Sequence, residues 1–445
     1  MRSNITKQLR IALTITAVLL SACGSKNDSY TIGGSVTGLT GSGLSGSVVL
    51  QNNGSDNLTV SANGSFTFAT KVIANAFSKA TYNVTVLIKP LGQTCTVTGG
   101  SGEATANINS VLVSCSSATA TLKAYVVNAS SNSIYQYAIG TNGSLTQTTN
   151  ALTGNNPNAA AISPARQYLY VTNQGDNTIS QYALGTGLLV AITTAPVYTG
   201  KSPSSIAIDP SGQYVYVTNH NDNTISQYTI GTGGVLQPIS PATIGTGGSP
   251  TSIAIDPAGR YVYVTNYADS NLTQYMIGTG GALQAISPAT VPTGLSPNAI
   301  AIDPAGQHVY VTSYSDNKLS QYTIGTGGVL QAGSPATTAT DIAPTSVTID
   351  PLGQYVYVTN SVSNSLWQYT LGTAGTLPSS ATTTAKTGAS PSSVSIDSSG
   401  QYVYVTNYSD YNVSQYTLGT AGALPAASST PVATGSNPLA IILSK

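Results

Sequence analysis

Residues 252–266 read S-I-A-I-D-P-A-G-R-Y-V-Y-V-T-N, and close copies of this stretch recur along most of the chain. Successive copies are spaced by 45 to 47 residues. A period of about 45 residues, built from short strands and turns, is typical of a β-propeller with one four-stranded blade per repeat. The sequence therefore predicts seven blades. The tyrosine that opens each copy of Y-V-T-N, or its variant, lies at Tyr125, Tyr170, Tyr216, Tyr263, Tyr310, Tyr357 and Tyr404.

The composition also indicates an all-β protein. Of the 445 residues, 45 are Gly and 27 are Tyr, and only 6% are charged. Tight turns use glycine and strands favour aromatic residues, whereas exposed helices need many charged side chains. We therefore expect no helix beyond a targeting segment at the start of the chain.

The repeat that begins at Pro203 can be divided into strands by its turn residues. The sequence D-P-S-G at 209–212 favours a tight turn, because proline fixes φ at the second position and glycine accepts a positive φ at the fourth. We predict strands at 205–208, 213–219, 224–230 and 235–238. Tyrosine and valine alternate in the second strand, so both of its faces are apolar, as a blade stacked between two others requires.

The two ends of the repeat region complement each other. Residues 121–150 contain three strands of a blade without the inner strand, and residues 437–443 form an inner strand without its blade. We therefore predict that residues 121–445 form a seven-bladed β-propeller. Pairing of residues 437–443 with the first blade would close the ring and remove its free edges.

Residues 31–117 lack this period. Short runs of alternating apolar and polar residues, separated by Gly, Asn and Ser, predict a small antiparallel β-sandwich. The segments G-S-V-V-L-Q-N-N-G (46–54) and L-T-V-S-A-N-G-S-F-T-F (58–68) resemble the immunoglobulin-like modules of bacterial surface lipoproteins. The resemblance implies a spacer without catalytic residues.

Residues 1–22 resemble the signal peptide of a bacterial lipoprotein. Basic residues precede a short apolar stretch, and L-S-A-C at 20–23 resembles the lipobox. The resemblance implies lipidation of Cys23, a polar tether over residues 23–30, and membrane attachment through the lipid. Because Gly24 rather than Asp follows, it implies the outer membrane of the cell envelope. The alternative is an ordinary signal peptide with an incidental cysteine.

Two further cysteines, Cys95 and Cys115, are expected to form a disulfide in an exported protein. The loop that they close is worth roughly 3 kcal/mol on the chain-entropy estimate. Two thiols without a nearby histidine make a poor zinc site, so no metal is expected. Removal of residues 1–22 leaves 11 basic and 14 acidic residues, a balance that offers no basic patch for nucleic acid.

The period, the Y-V-T-N copies and the segment S-Q-Y-T-I-G-T-G-G together resemble two related groups, the YVTN-repeat propellers and the lactonase-type seven-bladed propellers related to 6-phosphogluconolactonase. The resemblance extends over residues 121–445 and implies blade architecture more than chemistry, because one fold hosts many functions. Enzymes that resemble the lactonase family place Glu, His and Arg near the central channel for acid–base work and oxyanion stabilisation.

Residues of these types are scarce in this chain. Glu103 is the single glutamate and lies in the sandwich. Arg166 and Arg260 follow the turn between the first and second strands, where other repeats have glutamine, and are interpreted as surface variants. His308 replaces a tyrosine inside a strand. We therefore predict no catalytic residue and no cofactor.

Aspartates recur at two turns of the repeat, represented by Asp209 and Asp222. A ring of carboxylates at one rim could attract a cation. Aspartate also stabilises such turns by accepting hydrogen bonds from its own backbone, and we favour this structural role.

The preferred hypothesis is a non-enzymatic binding or adhesion scaffold anchored in the envelope, with an unknown envelope protein or glycan as its partner. The alternatives are a lactonase-like hydrolase and a subunit of an export or assembly machine. Variable residues at one rim of the ring are the natural place for specificity, although neutral drift explains them equally well. The candidate binding residues are Lys201, His220, Tyr267, Tyr314, Asp341 and Tyr408.

Overall fold

The structure is a computed structural model that describes residues 28–39, 47–75, 78–88, 93–117, 122–184, 187–193, 195–419, 422–426 and 430–444. The described residues form strands and turns, with 3₁₀ turns as their only helical segments. The chain divides into two compact units, residues 1–120 and residues 121–445. The predicted all-β fold with a seven-bladed propeller is confirmed. The predicted signal peptide, Cys23 and most of the tether lie outside the described residues.

The first unit consists of two four-stranded sheets and a two-stranded ribbon. The sheets have the strand orders β5-β2-β10-β8 and β4-β3-β7-β9, and β1 pairs with β6 in the ribbon. Apolar side chains from both sheets, such as Ile32, Val48 and Val113, form one core. The strands are β1 (Asp28–Tyr30), β2 (Ile32–Thr37), β3 (Val48–Asn52), β4 (Asp56–Val60), β5 (Gly64–Thr67), β6 (Val72–Ala74), β7 (Thr81–Ile88), β8 (Gln93–Thr98), β9 (Ser101–Glu103) and β10 (Ile108–Ser117).

The expectation of a purely antiparallel sandwich is wrong at one pair, because β2 and β10 run parallel. These strands lie at opposite ends of the unit, and the long connection between them allows a parallel arrangement. The segment I-G-G-S-V-T of β2 contains two adjacent glycines, which are unusual inside a strand. A Cβ atom at Gly34 would lie 1.7 Å from the carbonyl oxygen of Val111, so the absence of a side chain lets the two strands approach.

The predicted disulfide between Cys95 and Cys115 is present. The two residues are directly opposite each other on β8 and β10, with their Cα atoms 4.0 Å apart. The bond joins two neighbouring strands of one sheet, so it stabilises the first unit alone.

The second unit contains seven sheets, one per blade: six have four strands, and the sheet of blade 2 has five because its outer strand is in two pieces. From the axis outwards, blade 1 has the order β39-β11-β12-β13, and each other blade uses consecutive strands. The strands are β11 (Lys123–Asn128), β12 (Ser133–Ile139), β13 (Leu145–Leu152); β14 (Pro157–Ile162), β15 (Tyr168–Asn173), β16 (Thr178–Ala183), β17 (Val190–Ala191), β18 (Val197–Tyr198); β19 (Pro203–Ile208), β20 (Tyr214–Asn219), β21 (Thr224–Ile230), β22 (Leu236–Gly245); β23 (Pro250–Ile255), β24 (Tyr261–Asn266), β25 (Asn271–Ile277), β26 (Leu283–Pro292); β27 (Pro297–Ile302), β28 (His308–Ser313), β29 (Lys318–Ile324), β30 (Leu330–Ala339); β31 (Pro344–Ile349), β32 (Tyr355–Asn360), β33 (Ser365–Thr370), β34 (Thr383–Lys386); β35 (Pro391–Ile396), β36 (Tyr402–Asn407), β37 (Asn412–Thr417), β38 (Val432–Ala433) and β39 (Pro438–Leu443).

The predicted strands of blade 3 match closely except at the outside of the ring. There β22 continues to Gly245, past a shift in register between its two halves, whereas the strand predicted from the sequence ends at residue 238. The segment S-P-A-T lies inside the strand although proline usually ends one, because an outer strand needs hydrogen bonds on one side only. In blade 2 the outer strand is divided into β17 and β18.

The core is distributed between the blades. The second strand of each blade is buried on both faces, as Val215 and Tyr216 show in blade 3. Tyr216 packs with Ile253 and Val262 of blade 4, whereas Val215 packs with Tyr170 of blade 2. Each blade therefore contributes to two cores, and no blade can bury its apolar residues alone.

In blades 2, 3, 4, 5 and 7, hydrogen bonds of three side chains also join the blade to its two neighbours. In blade 3, the Tyr216 hydroxyl donates to the carbonyl oxygen of Gly281 at 2.7 Å, and Gln227 Oε1 accepts the Leu283 N–H at 2.7 Å, both in blade 4. The Tyr228 hydroxyl donates to the carbonyl oxygen of Tyr198 in blade 2 at 2.6 Å. The repeated tyrosine and glutamine residues therefore satisfy buried polar groups across the blade interfaces.

The C-terminal strand β39 completes blade 1. It pairs antiparallel with β11, with Ala124 opposite Leu443 and Val126 opposite Ile441. Ser444 extends the contact, because its Oγ accepts the Lys123 N–H and its own N–H donates to the Lys123 carbonyl oxygen, each at 2.8 Å. The ring therefore closes within a single sheet.

Candidate functional site

One rim of the propeller is formed by the turn after the second strand and by the connection that precedes the inner strand of the same blade; we call it the turn rim. In blade 3 these segments are residues 220–223 and 199–202. The two segments are joined by a backbone hydrogen bond from the His220 N–H to the carbonyl oxygen of Ser202 at 2.9 Å. Tyr314 and Tyr408 make the equivalent bond in blades 5 and 7, at 3.0 Å each. The variable side chains of the rim thus project from a backbone that is held in the same way in each blade.

The aspartates of the turn rim stabilise this arrangement. Asp222 Oδ2 accepts the Lys201 N–H at 2.7 Å, and Asp316 Oδ2 accepts the Leu295 N–H at 2.7 Å. Asp410 accepts the Ala389 N–H at 2.8 Å. Each carboxylate is engaged by the backbone of the neighbouring connection, which is the structural role favoured from the sequence.

The aspartates at the opposite rim have the same kind of role. Asp209 is buried, and its Oδ1 accepts the N–H groups of Gln213 and Tyr214 at 2.8 and 2.6 Å. In blade 2 a serine replaces the aspartate, and Ser163 Oγ accepts the N–H groups of Gln167 and Tyr168 at 3.1 and 3.0 Å. A hydroxyl can thus replace the carboxylate, as expected for a turn and not for a cation site.

The structure corrects the placement of one arginine. Arg260 follows the turn, as predicted, and its Nε lies 3.4 Å from Asp256 Oδ2. Arg166 instead occupies the position of the turn glycine, with φ of 55°, where Gly212 has φ of 71°. Because the segment S-P-A-R of blade 2 lacks the turn glycine, Arg166 was aligned one residue too far along the repeat, with Gln213 instead of Gly212.

His308 is packed inside blade 5. It occupies the position of Tyr214 in blade 3, and its Nδ1 lies 3.0 Å from Oδ2 of the buried Asp303. The ring also lies against Gly375 of the next blade. These contacts support the interpretation of His308 as a packed substitute for tyrosine.

Polar side chains at the start of the inner strands surround the channel at the turn rim. In six blades the second residue of the inner strand donates a hydrogen bond to the carbonyl oxygen of the proline that begins the next inner strand. The distances lie between 2.7 and 3.0 Å. We call this set the mouth ring; its members are Asn158, Ser204, Thr251, Asn298, Thr345 and Ser392.

A concavity of about 520 Å³ lies at this mouth; we call it the mouth pocket. It is formed by the turn tips of blades 5, 6 and 7 and by the inner strands of blades 6, 7 and 1. Tyr314 and Tyr408 contribute aromatic rings that are 36% and 37% exposed. Its lining residues are Tyr314, Thr345, Ser361, Val362, Asn364, Ala389, Ser390, Pro391, Ser392, Tyr408 and Leu439.

The predicted binding residues are only partly brought together. Tyr314 and Tyr408 share the mouth pocket, whereas Tyr267 and His220 occupy the equivalent positions of blades 4 and 3 and do not line it. His220 Nδ1 lies 3.0 Å from Asn221 Oδ1 on the rim. Lys201 is exposed on the same rim and likewise does not line the pocket.

Asp341 has a structural role that the sequence analysis did not recognise. Its Oδ2 accepts the Ser365 hydroxyl at 3.0 Å, and its Oδ1 accepts the N–H of Ile342 at 3.0 Å. Burial opposes ionisation of this carboxyl, but hydrogen bonds from Ser363, Ile342 and Ser365 outweigh it and lower its pKa. In blade 6 the turn after the second strand has Ser363 at the position that Asp222 holds in blade 3. Asp341, in the connection before the inner strand, supplies a carboxylate in its place.

Several lining residues of the mouth pocket were not among the predicted binding residues. Ser361 and Val362 belong to one turn tip, at positions that vary from repeat to repeat. Asn364 belongs to the same tip, but its position is Asn in most repeats, and its Oδ1 accepts the Ser390 N–H at 2.8 Å. Leu439 lies on the closing strand, and its place beside the tip of blade 7 depends on closure of the ring. This second contribution cannot be read from any single repeat.

The mouth pocket contains hydroxyl, amide and aromatic groups. Its lining includes no Glu, His or Arg, the residue types that the lactonase resemblance leads one to expect. Within the described part of the chain, no group of three His, Cys, Asp or Glu residues could hold a metal ion. The pocket is suited to hydrogen bonding and stacking against a small polar ring.

A larger concavity of about 620 Å³ lies at the outside of blade 2, against the divided outer strand. Leu152, Asp176, Gln181 and Tyr198 are among its lining residues. It lies away from the channel, and Asp176 is already engaged by the Asn155 N–H at 2.6 Å. We therefore regard the mouth pocket as the candidate site.

The sequence matches the family of lactonases with a seven-bladed β-propeller over residues 51–195, 189–296 and 281–385. Because these ranges cover well over half of the chain, the protein belongs to this family. The first range begins within the first structural unit, ahead of β11. A comparison of the sequence with curated proteins finds no match.

Solved structures with the same fold include proteins of different kinds. A Bacteroides fragilis protein described as a candidate 6-phosphogluconolactonase is 19% identical, with a TM-score of 0.65 over 74% of this chain and 99% of its own. The periplasmic gluconolactonase of Pseudomonas aeruginosa is 18% identical, with a TM-score of 0.64 over 72% and 99%. Hydrazine synthase of Kuenenia stuttgartiensis is 19% identical, with a TM-score of 0.54 over 67% and 92%. At these identities the likeness shows the fold alone.

Within the described residues, none of the helical segments has the length and apolar character needed to cross a membrane.

Proposed function

We propose that the propeller binds a sugar lactone, or a hydroxylated ring of the same kind, in the mouth pocket. The observation that supports this function best is the pairing of two partly exposed tyrosine rings, Tyr314 and Tyr408, with Ser and Thr hydroxyls in one concavity. Aromatic faces stack against the apolar faces of a sugar ring, and hydroxyls bond to its oxygens.

The comparisons favour binding of a small lactone over the adhesion scaffold that was preferred from the sequence alone. Membership of the lactonase-type family points to a small lactone as the ligand class. The similarity of the fold to a gluconolactonase is consistent with that class. An envelope glycan presents related sugar rings, and we retain it as a second ligand for the same pocket.

Binding can be measured by calorimetric titration of the purified protein with freshly dissolved glucono-1,5-lactone and, separately, with gluconate. The double variant Tyr314→Ala/Tyr408→Ala should bind about tenfold more weakly, because both stacking faces are lost. Tyr267→Ala is the matched control, since Tyr267 has the same position in blade 4, is equally exposed and does not line the pocket. Unchanged affinity in the double variant would exclude this site.

Lactone hydrolysis is the second candidate function, and family membership is the observation that favours it. The pocket offers hydroxyl and amide groups but no histidine or carboxylate to act as a general base. Lactone opening should be followed by acid release with and without the protein, because these lactones also open spontaneously. Acceleration that disappears in Tyr314→Ala/Tyr408→Ala would establish hydrolysis; binding without acceleration would restrict the function to recognition.

We also propose that the protein is attached to the bacterial envelope through a lipid on Cys23, with the outer membrane as its destination. The lipobox-like segment L-S-A-C supports this proposal. Replacement Cys23→Ser should move the protein from the membrane fraction to the soluble fraction of lysed cells. Retention of the variant in the membrane fraction would refute lipid anchoring at this residue.

A further inference from the structure

The mouth ring is interrupted at one of its seven equivalent positions, all of which are described. In blade 1 the second residue of the inner strand is Leu439, next to Pro157 of blade 2. Leucine cannot donate a hydrogen bond, whereas Asn158 and Ser392 on the flanking inner strands donate to the next proline carbonyl at 2.7 Å each. The ring of side-chain hydrogen bonds is therefore interrupted in blade 1, the blade that the C-terminal strand completes.

Packing of the propeller does not require an apolar residue here. Asparagine occupies the equivalent position twice, at Asn158 and Asn298, and its amide reaches the neighbouring carbonyl oxygen at 2.7 Å in both cases. A polar side chain at residue 439 would therefore fit the repeat and complete the ring. The leucine gives up this hydrogen bond and presents partly exposed apolar surface instead.

Leu439 lines the mouth pocket together with Val362, whose side chain is 60% exposed at the turn tip of blade 6. Thr345 and Ser392, from the inner strands of blades 6 and 7, line the same pocket with hydroxyl groups. The pocket thus combines two aliphatic side chains with polar ones. Exposed aliphatic groups of this kind stabilise a complex when a bound ligand removes them from water.

We infer that the ligand of the mouth pocket carries an apolar substituent, such as a short aliphatic chain, that packs against Leu439 and Val362. The hydroxylated ring of the ligand lies between Tyr314 and Tyr408. This inference rests on the proposed function and specifies its substrate class: a substituted, amphiphilic lactone in preference to a fully hydroxylated one. Leu439 is then the residue that determines specificity.

The test compares two probes, glucono-1,5-lactone and its 6-O-hexanoyl ester, in calorimetric titrations of the purified protein. The ester should bind at least about tenfold more tightly, because several methylene groups leave water. Leu439→Asn should abolish this preference by weakening the binding of the ester to about the level of the unsubstituted lactone. Leu439→Met, which conserves volume and apolar character, should retain the preference.

Two further variants separate specificity from folding. Ser204→Asn introduces the same residue at the equivalent position of blade 3, outside the pocket, and should leave both affinities unchanged. Val362→Ser alters an exposed side chain, so it should fold normally and reduce the preference for the ester even if Leu439→Asn does not fold.

The outcomes distinguish the inference from the proposed function. If neither probe binds, the proposed function fails, and the inference fails with it. If both probes bind equally well, or if Leu439→Asn and Val362→Ser retain the full preference for the ester, the function stands and the apolar subsite is refuted.

Discussion

At the scale of single residues, the repeated polar side chains of the propeller hold the ring together. Tyr216, Gln227 and Tyr228 of blade 3 bond to the blades on both sides. Asp209 and Asp222 satisfy backbone N–H groups at opposite rims. A residue that departs from these patterns is therefore more informative about function than one that repeats.

Replacement of Asp350 by alanine should destabilise the propeller. Its buried carboxylate accepts the N–H groups of Gln354 and Tyr355 at 2.6 Å each, and loss of this acceptor costs about 1–3 kcal/mol. Urea denaturation measures the change. Leu352→Ala in the same turn is the control, because that side chain is 77% exposed. Equal stability of the two variants would contradict the assigned role of Asp350.

Buried tyrosines should make the protein sensitive to alkali. Burial raises the pKa of Tyr137, Tyr228 and Tyr322 from 10.0 to about 12. The folded state therefore holds these protons more tightly than the unfolded state does. Their contribution to stability is complete below pH 10 and is lost as the pH rises from 10 to about 12.

Absorbance at alkaline pH, followed together with circular dichroism, measures this titration. Ionisation of the buried tyrosines should coincide with unfolding, because unfolding returns their hydroxyl groups to water. A single ionisation step near pH 10 with the fold intact would disagree with this assignment.

At the scale of elements, the repeated strands could be predicted because their signals are local. Tyrosine–valine alternation and the D-P-S-G turn located the first three strands of blade 3 to within two residues. The outer strands and β2 were harder to predict, because they contain proline or glycine. Whether a strand tolerates these residues depends on the strands beside it. Closure of the ring could be predicted from the sequence, but the place of Leu439 in the mouth pocket could not, because it depends on how the inner strands and turn tips of neighbouring blades pack together.

Removal of residues 436–445 should destabilise the propeller more than their number suggests. The deletion takes away β39, including the buried Ile441 and Leu443, and leaves β11 as a free edge. Thermal unfolding measures the loss, and a chain that ends at residue 444 is the control. A synthetic peptide of residues 436–445 should restore part of the lost stability; an unchanged midpoint without the peptide would contradict the closing role of β39.

At the scale of the whole molecule, each of the two units has its own core. The mouth pocket belongs entirely to the second unit, and the disulfide belongs entirely to the first. Stability and ligand binding should therefore be separable by treatments that act on one unit.

Reduction of the bond between Cys95 and Cys115 should lower the stability of the first unit by about 3 kcal/mol, because the unfolded chain regains the freedom of the closed loop. Calorimetry with and without a thiol reductant should show this change in one transition only. The transition of the propeller serves as the internal control, since it contains neither cysteine. An equal shift of both transitions would show that the units do not unfold independently.

The closure of blade 1 has a mechanical consequence. Because β11 and β39 are antiparallel, with Ala124 opposite Leu443, the chain enters the ring beside the point where it leaves. A force that pulls residues 122 and 444 apart loads one end of this strand pair and breaks its hydrogen bonds one after another, instead of all together. The ring should therefore open at low force when stretched by its own ends, although its packed interior resists heat and denaturant.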